Sequence, residues 1–244
     1  LGVSITNIAD LNGLLLAAKP KDIIYIDEGD GLRFPIPLYL ALDQKKLILS
    51  GGNSGRSPQS IPLADFTLLL STNFEESLLP ALRDRMKMTL YLPYYSVEEL
   101  CEIVRRRSRA LGWSVEEAVI EGCAARAKST PRQALRVLSS ARRVARSEGE
   151  STITYLHLMR ACDLEGLDSL GLNNVEQAYL RILAEGDSRL NVIASRLGLP
   201  SRTVSDVTEQ FLLRAGLIVK DGQSRRQLTS LGREHLANSR PIGE

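Results

Sequence analysis

A chain of 244 residues, 43 % hydrophobic and 25 % charged, has the composition of a globular protein and the length for one large domain or two to three small ones. No apolar run approaches the roughly 20 residues that cross a bilayer, and no charged-then-apolar segment opens the chain as a secretory signal would. The 31 Lys and Arg against 29 Asp and Glu leave a net charge of +2, so the total does not point to a polyanionic partner. Cys101, Cys123 and Cys162 lack the paired spacing of a disulfide framework or a zinc site, which points to a reducing, cytoplasmic setting. His157 and His235 are too few and too far apart for a His-based metal site. Basic residues gather at Arg105-Arg106-Arg107, Arg142-Arg143 and Arg225-Arg226, where a solvated helix face or loop is the ordinary explanation. The first residue is Leu1, which leads us to expect a piece of a longer protein.

Residues 1–93 are expected to be mixed α/β. Ile23-Ile24-Tyr25-Ile26 and Phe66-Thr67-Leu68-Leu69-Leu70 are short apolar runs that end in polar residues, as buried parallel strands do. Between them, Leu47-Ile48-Leu49 and Gln59-Ser60-Ile61 flank Gly51-Gly52-Asn53-Ser54-Gly55, the signal of a hairpin over residues 47–63. Residues 94–168 are expected to form a small helical bundle. Ser96 precedes the acidic turn Val97-Glu98-Glu99, Ser114 is expected to open a second helix in the same way, and Pro131 takes the first helical position after Thr130.

Residues 169–244 show a different pattern. Val175, Ala178, Tyr179 and Ile182 make one helical face, and Leu190, Ile193, Ala194 and Leu197 make a second. After the break at Gly198-Leu199-Pro200, Val204, Val207, Phe211 and Leu212 make a third. Leu217-Ile218-Val219 and Gln227-Leu228-Thr229 then flank the turn signal Asp221-Gly222. Three helices and a hairpin predict a winged helix, a fold that places a helix in a DNA groove and its hairpin on the backbone.

Four short stretches carry candidate chemistry. Asp27 and Glu28 end the first strand, the placement of a Walker B pair: the Asp holds Mg²⁺ through water and the Glu polarises the attacking water. Thr72 and Asn73 end the next strand of this kind, where a polar side chain positions that water, the role called sensor 1. Pro80-Ala81-Leu82-Arg83-Asp84-Arg85 offers an arginine finger to a neighbouring subunit. Arg132, in the first turn of a helix, has the position of a sensor 2 arginine. Each has an ordinary structural explanation taken alone, but their joint order is not ordinary.

In this order, with Asp65-Phe66-Thr67-Leu68, Leu82-Arg83-Asp84-Arg85, Ser129-Thr130-Pro131-Arg132 and the C-terminal winged helix, the chain resembles the AAA+ ATPases and, within them, the RuvB family, from about Ile8 to about Leu236. The resemblance implies a partial α/β AAA+ P-loop-type core over 1–93, an all-α helical lid over 94–168 and a winged-helix DNA-binding domain over 169–244. It implies ATP and Mg²⁺ as cofactors and a hexameric homo-oligomeric ring as the assembly. It also implies duplex DNA at four-way junctions as substrate, and a RuvA-like junction-binding partner docked on the 47–63 hairpin. The site residues it implies are Asp27, Glu28, Thr72, Asn73 and Arg85 (Arg83 second to it) for catalysis, with Mg²⁺ held by Asp27 through water and Arg132 contacting ATP. Arg202, Arg225 and Arg226 are expected on DNA.

The sequence departs from the family pattern at several points. It contains no Gly-x-x-x-x-Gly-Lys-Ser/Thr loop, whose backbone N–H groups and lysine cradle the phosphates; that loop is expected upstream. Gly29-Asp30-Gly31-Leu32 follows Glu28 in place of the family's histidine. Pro35 and Pro37 are poor residues for the interior of the next helix. Phe74 and Glu75 stand where a basic residue is expected. A non-catalytic DNA-binding or assembly protein of this descent is therefore the alternative to a motor, and a clamp-loader-like subunit is disfavoured by the winged helix.

Overall fold

Asn7 opens the first helix, α1 (Ile8–Ala17), its side chain accepting a hydrogen bond from the Asp10 N–H at 2.9 Å. The computed structural model describes residue 5, residues 7–49 and residues 58–238, which fall into two units, 1–91 and 92–244. In the first unit β1 (Ile23–Ile26) is followed by a 3₁₀ turn at Gly29–Gly31 and α2 (Ile36–Gln44). Next come β2 (Lys46–Leu49), β3 (Gln59–Pro62), β4 (Thr67–Leu70) and α3 (Pro80–Arg83). β1 and β4 pair in parallel, Ile23 opposite Thr67 through Ile26 opposite Leu70. Alternation sends Ile24, Ile26 and Leu68 into a core with Leu11, Leu15, Leu38 and Leu82, and sends Ile23, Tyr25 and Leu69 to an exposed face. Pro35 and Pro37 do not interrupt α2. They occupy its N-cap and first turn, where a missing N–H costs nothing. β2 and β3 form the expected antiparallel pair, Lys46 opposite Pro62 and Leu49 opposite Gln59. The Gly-rich tip between them lies outside the described residues.

The second unit begins with α4 (Val97–Ala110), where Ser96 and Glu99 close a reciprocal capping box. Ser114 does not start a helix. Ser114–Val115 is a short strand, β5, and the next helix, α5 (Glu117–Ala125), begins after it; α6 (Pro131–Ser147) comes third. β5 is captured by a parallel partner, β6 (Thr152–Ile153), and the Glu116 N–H donates to Ile153 O, so Glu116 becomes the N-cap instead. With α7 (Tyr155–Glu165) these helices bury Leu100, Val104, Ile120, Leu138, Ala141 and Leu158 in one core. The amphipathic face of α6 supplies Ala134, Val137, Leu138, Ala141, Val144 and Ala145, a helical spacing throughout.

The remaining chain runs α8 (Asn174–Ala184), β7 (Ser188–Arg189), α9 (Leu190–Leu197) and α10 (Ser201–Thr203). A five-residue π turn, Val204–Thr208, leads into α11 (Glu209–Arg214), after which come β8 (Ile218–Lys220), β9 (Arg225–Leu228) and α12 (Ser230–Asn238). The sheet order is β7-β9-β8, all antiparallel, so the expected hairpin gains a third strand. Gly198 caps α9 at φ 67°, a conformation open to glycine without strain. Of the apolar face expected of Val204, Val207, Phe211 and Leu212, Val204 and Leu212 are buried and Phe211 packs against the core, whereas Val207 is exposed. The π turn inserts an extra residue and rotates the helix beyond it, so Glu209 joins Thr208 on the inner side.

Candidate functional site

The end of β1 meets the end of β4. There Asp27 Oδ1 accepts from the Ser71 hydroxyl, from the Tyr25 hydroxyl at 3.2 Å and from the Glu28 N–H at 3.1 Å. The two strands are locked at that level by Ser71 N–H to Ile26 O (3.1 Å) and Gly29 N–H to Ser71 O (2.8 Å). The Ser71 hydroxyl above all, then that of Tyr25 and the Glu28 amide, hold the Asp27 carboxyl below the usual carboxylate range. All three bonds fall on Oδ1, and among the described residues none reaches Oδ2. Glu28 is exposed with no side-chain partner among the described residues, and its backbone lies in the left-handed region at φ 54°, an uncommon conformation for a residue with a side chain.

Thr72 donates to Asp30 Oδ1 at 2.6 Å and accepts from the Phe74 N–H, so it braces the loop after β1. Asn73 is exposed, and among the described residues its side chain has no partner. The structure therefore brings Asp27, Glu28, Ser71 and Thr72 to the ends of two paired strands. Ser71, Tyr25 and Asp30 were not anticipated. Their signal was present, because parallel strands ending in Asp27 and Ser71-Thr72 place those ends side by side.

An ionised Asp27 with one oxygen left unbonded among the described residues, beside a Glu28 side chain with no partner among them, fits a carboxylate that touches Mg²⁺ through water. No cluster of three His, Cys, Asp or Glu suited to holding a metal occurs among the described residues. Mg²⁺ in nucleotide sites is typically held by one or two carboxylates, water and the phosphates themselves. ATP would need further phosphate donors than these strand ends supply.

Arg85 is held within its own unit. Its guanidinium bonds Asp43 at 2.8 and 2.9 Å and Ala81 O at 2.6 Å, and it covers the Tyr39 ring at 4.7 Å. Arg83 is exposed and unpaired among the described residues. In the second unit Arg132 stands in the first turn of α6 behind Pro131, exposed and likewise unpaired among them.

The two wing arginines part company. Arg225 is exposed; its side chain reaches Asp187 O at 2.9 Å, and its N–H bonds Asp221 Oδ1 at 2.7 Å. Arg226 is only 7 % exposed. It lies on the fully buried Glu209 carboxylate with contacts of 3.2–3.3 Å and donates to Ser224 O at 2.7 Å. Arg226 is therefore corrected from a phosphate contact to a structural ion-pair partner. The reason is strand alternation, which turns adjacent residues to opposite faces. Lys220 joins the same carboxylate at 2.8 Å.

The wing tip, Asp221 to Ser224, carries no basic residue. Arg189, which was not anticipated, is the register partner of Arg225 across β7 and β9, and it is exposed and unpaired among the described residues. Arg202 extends into solvent with a 3.3 Å contact to Asp206.

Residues 95–168 match the RuvB AAA lid domain, and residues 169–237 match the RuvB C-terminal winged helix domain. The Holliday junction branch migration complex subunit RuvB of Anaeromyxobacter sp. (strain K) is 33 % identical over 250 residues, covering 100 % of this chain and 73 % of its own length. The RuvB subunit of Kosmotoga olearia is 33 % identical over 239 residues, covering 95 % of this chain and 69 % of its own. The solved Thermotoga maritima RuvB Holliday junction branch migration motor superposes with a TM-score of 0.76 at 26 % identity, over 98 % of this chain and 78 % of that one. A partial AAA+ core, a lid and a winged helix in this order, at these identities, place the chain in the RuvB family.

Proposed function

We propose that this chain is the subunit of an ATP-driven DNA translocase that acts on four-way junctions, with Asp27, Glu28, Thr72 and Asn73 at the nucleotide phosphates and Arg132 sensing them from the lid. The observation that carries this reading is the end of β1 and β4. Asp27 is kept ionised by Ser71 and Tyr25, and Glu28 next to it, with no side-chain partner among the described residues, is aimed by a left-handed backbone. A purely structural strand end has no need of that combination. Arg83 and Arg85 are the trans-acting candidates. Arg83 is unpaired among the described residues, and Arg85 must exchange Asp43 for a neighbour's phosphate. A ring of such subunits fits this reading, because an arginine finger acts across a subunit boundary.

DNA contact falls to the exposed cross-strand pair Arg189 and Arg225, with Arg202 at the head of the recognition helix. The β2–β3 hairpin, which leaves Ile48 exposed, is the docking element for a RuvA-like partner. No helix among the described residues is long and apolar enough to cross a membrane, and a cytoplasmic site of action belongs to this reading.

Two measurements test it. With a Gly-x-x-x-x-Gly-Lys-Ser/Thr segment supplied upstream, ATP turnover should appear and fall about 10² to 10⁴-fold in Glu28→Gln. The 244 residues alone should stay at background. Turnover that is insensitive to Glu28→Gln removes the motor reading and favours a non-catalytic DNA-binding protein. Separately, Arg189→Ala with Arg225→Ala should weaken duplex binding equally on all sequences and reduce the slope of log affinity against log salt by about two units.

A further inference from the structure

The connector between α5 and α6 is gripped by the winged helix from two sides. Lys128 Nζ lies 2.7 and 2.5 Å from the two carboxylate oxygens of Glu176. Glu176 belongs to the first turn of α8, has a side chain only 6 % exposed, and closes that helix's capping box through the Asn173 N–H at 2.8 Å. The Lys128 carbonyl accepts from Arg214, the last residue of α11, at 3.0 Å. The Arg214 guanidinium also lies 3.6 Å over the Tyr94 ring, and the neighbouring Tyr95 N–H donates to Ser129 O at 3.2 Å. Beside this seam a Cβ on Gly171 would overlap the Arg126 carbonyl, so the connection between lid and winged helix runs against the same strand of backbone.

Lys128 and Ser129 both hold left-handed backbone, at φ 49° and 61°. Two successive side-chain-bearing residues adopt that conformation only where surrounding contacts impose it. On Lys128 these contacts come from α8 and α11, and on Ser129 from the Tyr95 N–H. Three residues after Ser129 stands Arg132, exposed and, among the described residues, unpaired in the first turn of α6. That turn follows within two residues of the backbone that Glu176 and Arg214 hold at Lys128.

We propose that Lys128, Glu176 and Arg214 are positioning residues through which the winged helix orients Arg132, so that duplex DNA engaged at Arg202, just ahead of the π turn, is felt at the nucleotide-sensing arginine. This rests on the reading of Arg132 as that sensor. Arg214 lies at the opposite end of α11 from the π turn, so one run of helical chain leads from Arg202 to the seam. A double hold on one residue, by charge at Nζ and by hydrogen bond at the carbonyl, transmits displacement more faithfully than either contact alone.

The test is amide hydrogen exchange on the 244-residue chain with and without duplex DNA, with affinity measured in parallel by fluorescence anisotropy. In the parent chain, bound duplex should slow exchange in residues 127–134 by about 5-fold or more, the lower end of ordinary site-to-site coupling. In Arg214→Lys and Lys128→Met the duplex should still bind with similar affinity while that slowing is lost. Glu176→Gln, which keeps the capping geometry, covers the case in which either variant melts early. Slowing that persists in the variants overturns the proposal, and so does a parent chain that binds duplex without any change at 127–134. ATP titration of the chain with the Gly-x-x-x-x-Gly-Lys-Ser/Thr segment supplied upstream, with and without Arg132→Ala, reads the sensor assignment by itself. Loss of affinity upholds it, and unchanged affinity makes the seam a DNA-responsive joint without a nucleotide role, which overturns the inference as stated.

Discussion

The two units hold their functional side chains by different means. In the first, β1 and β4 have one packed face and one open one: Ile23 is 66 % and Tyr25 60 % exposed although both are strand residues of a parallel pair. Parallel sheets are ordinarily covered on both faces. The strand ends are nevertheless ordered, because Asp27, Ser71, Tyr25 and the Glu28 amide satisfy one another locally. In the second unit the reverse holds. Continuous apolar cores are enclosed there, and charged groups are drawn inside: Glu209 is fully buried, Glu176 nearly so, and the Lys128 side chain is largely covered. There, side-chain direction depends on ion pairs spanning distant parts of the sequence. Chemistry at strand ends tolerates an incompletely covered sheet, whereas chemistry displayed by helices and a wing depends on buried charge.

The largest effect that sharpens this comparison is expected at Glu209. Removing it in Glu209→Ala leaves Arg226 as an uncompensated buried charge, at a cost of about 3–5 kcal/mol. Arg225→Ala, one residue along β9 on the outer face, should stay within about 0.5 kcal/mol. Urea titrations monitored on the second unit separate the two, and equal losses would end the distinction between inner and outer arginines.

The same contrast in the first unit sets Ile24→Ala, on the packed face, against Ile23→Ala, on the open one. The former should destabilise by about 2–5 kcal/mol and the latter by no more than about 0.5 kcal/mol. A large loss for Ile23→Ala would mean that the open face is covered in solution.

Smaller effects probe individual groups. Ser71→Ala removes the main hydrogen bond on Asp27, so the Asp27 pKa should rise toward the ordinary carboxylate value in a carboxyl-carbon NMR titration. Because the folded pKa lies below the unfolded one, the stability this carboxylate contributes is present above the unfolded value. It disappears as pH falls through the folded value, and Ser71→Ala should move that loss to higher pH. An unshifted titration would remove the hydroxyl from the Asp27 environment. The weakest effect is at the lid cysteines. Burial pushes the Cys123 thiol up to about 12 and raises that of Cys162. In the native protein a disulfide reagent should therefore label at most the half-buried Cys101. Rapid labelling of all three would show that the lid opens readily.

Local signals in the sequence were sufficient for elements whose reasons are local. The Ser96 capping box, Pro131 at the head of α6, Gly198 after α9 and the apolar run of β1 each carry their own boundary within a few residues. The placement of Asp27 and Glu28 at a strand end, and of Arg132 in a first helical turn, comes from the same short-range rules. Long-range pairing decided the rest. Ser114–Val115 is a strand only because Thr152–Ile153 lies beside it, although its residues also suit a helix start.

Glu209 faces inward beside Thr208 because the π turn shifts helical phase, a change that no 3.6-residue period announces. Arg226 is structural because a carboxylate 17 positions earlier in sequence waits for it, and Arg85 is tied by Asp43, 42 positions away. Backbone preference and capping act over a turn of chain and are written in adjacent residues. Whether an arginine meets solvent, a partner or a phosphate depends on which face of the folded surface it reaches, and only tertiary packing sets that.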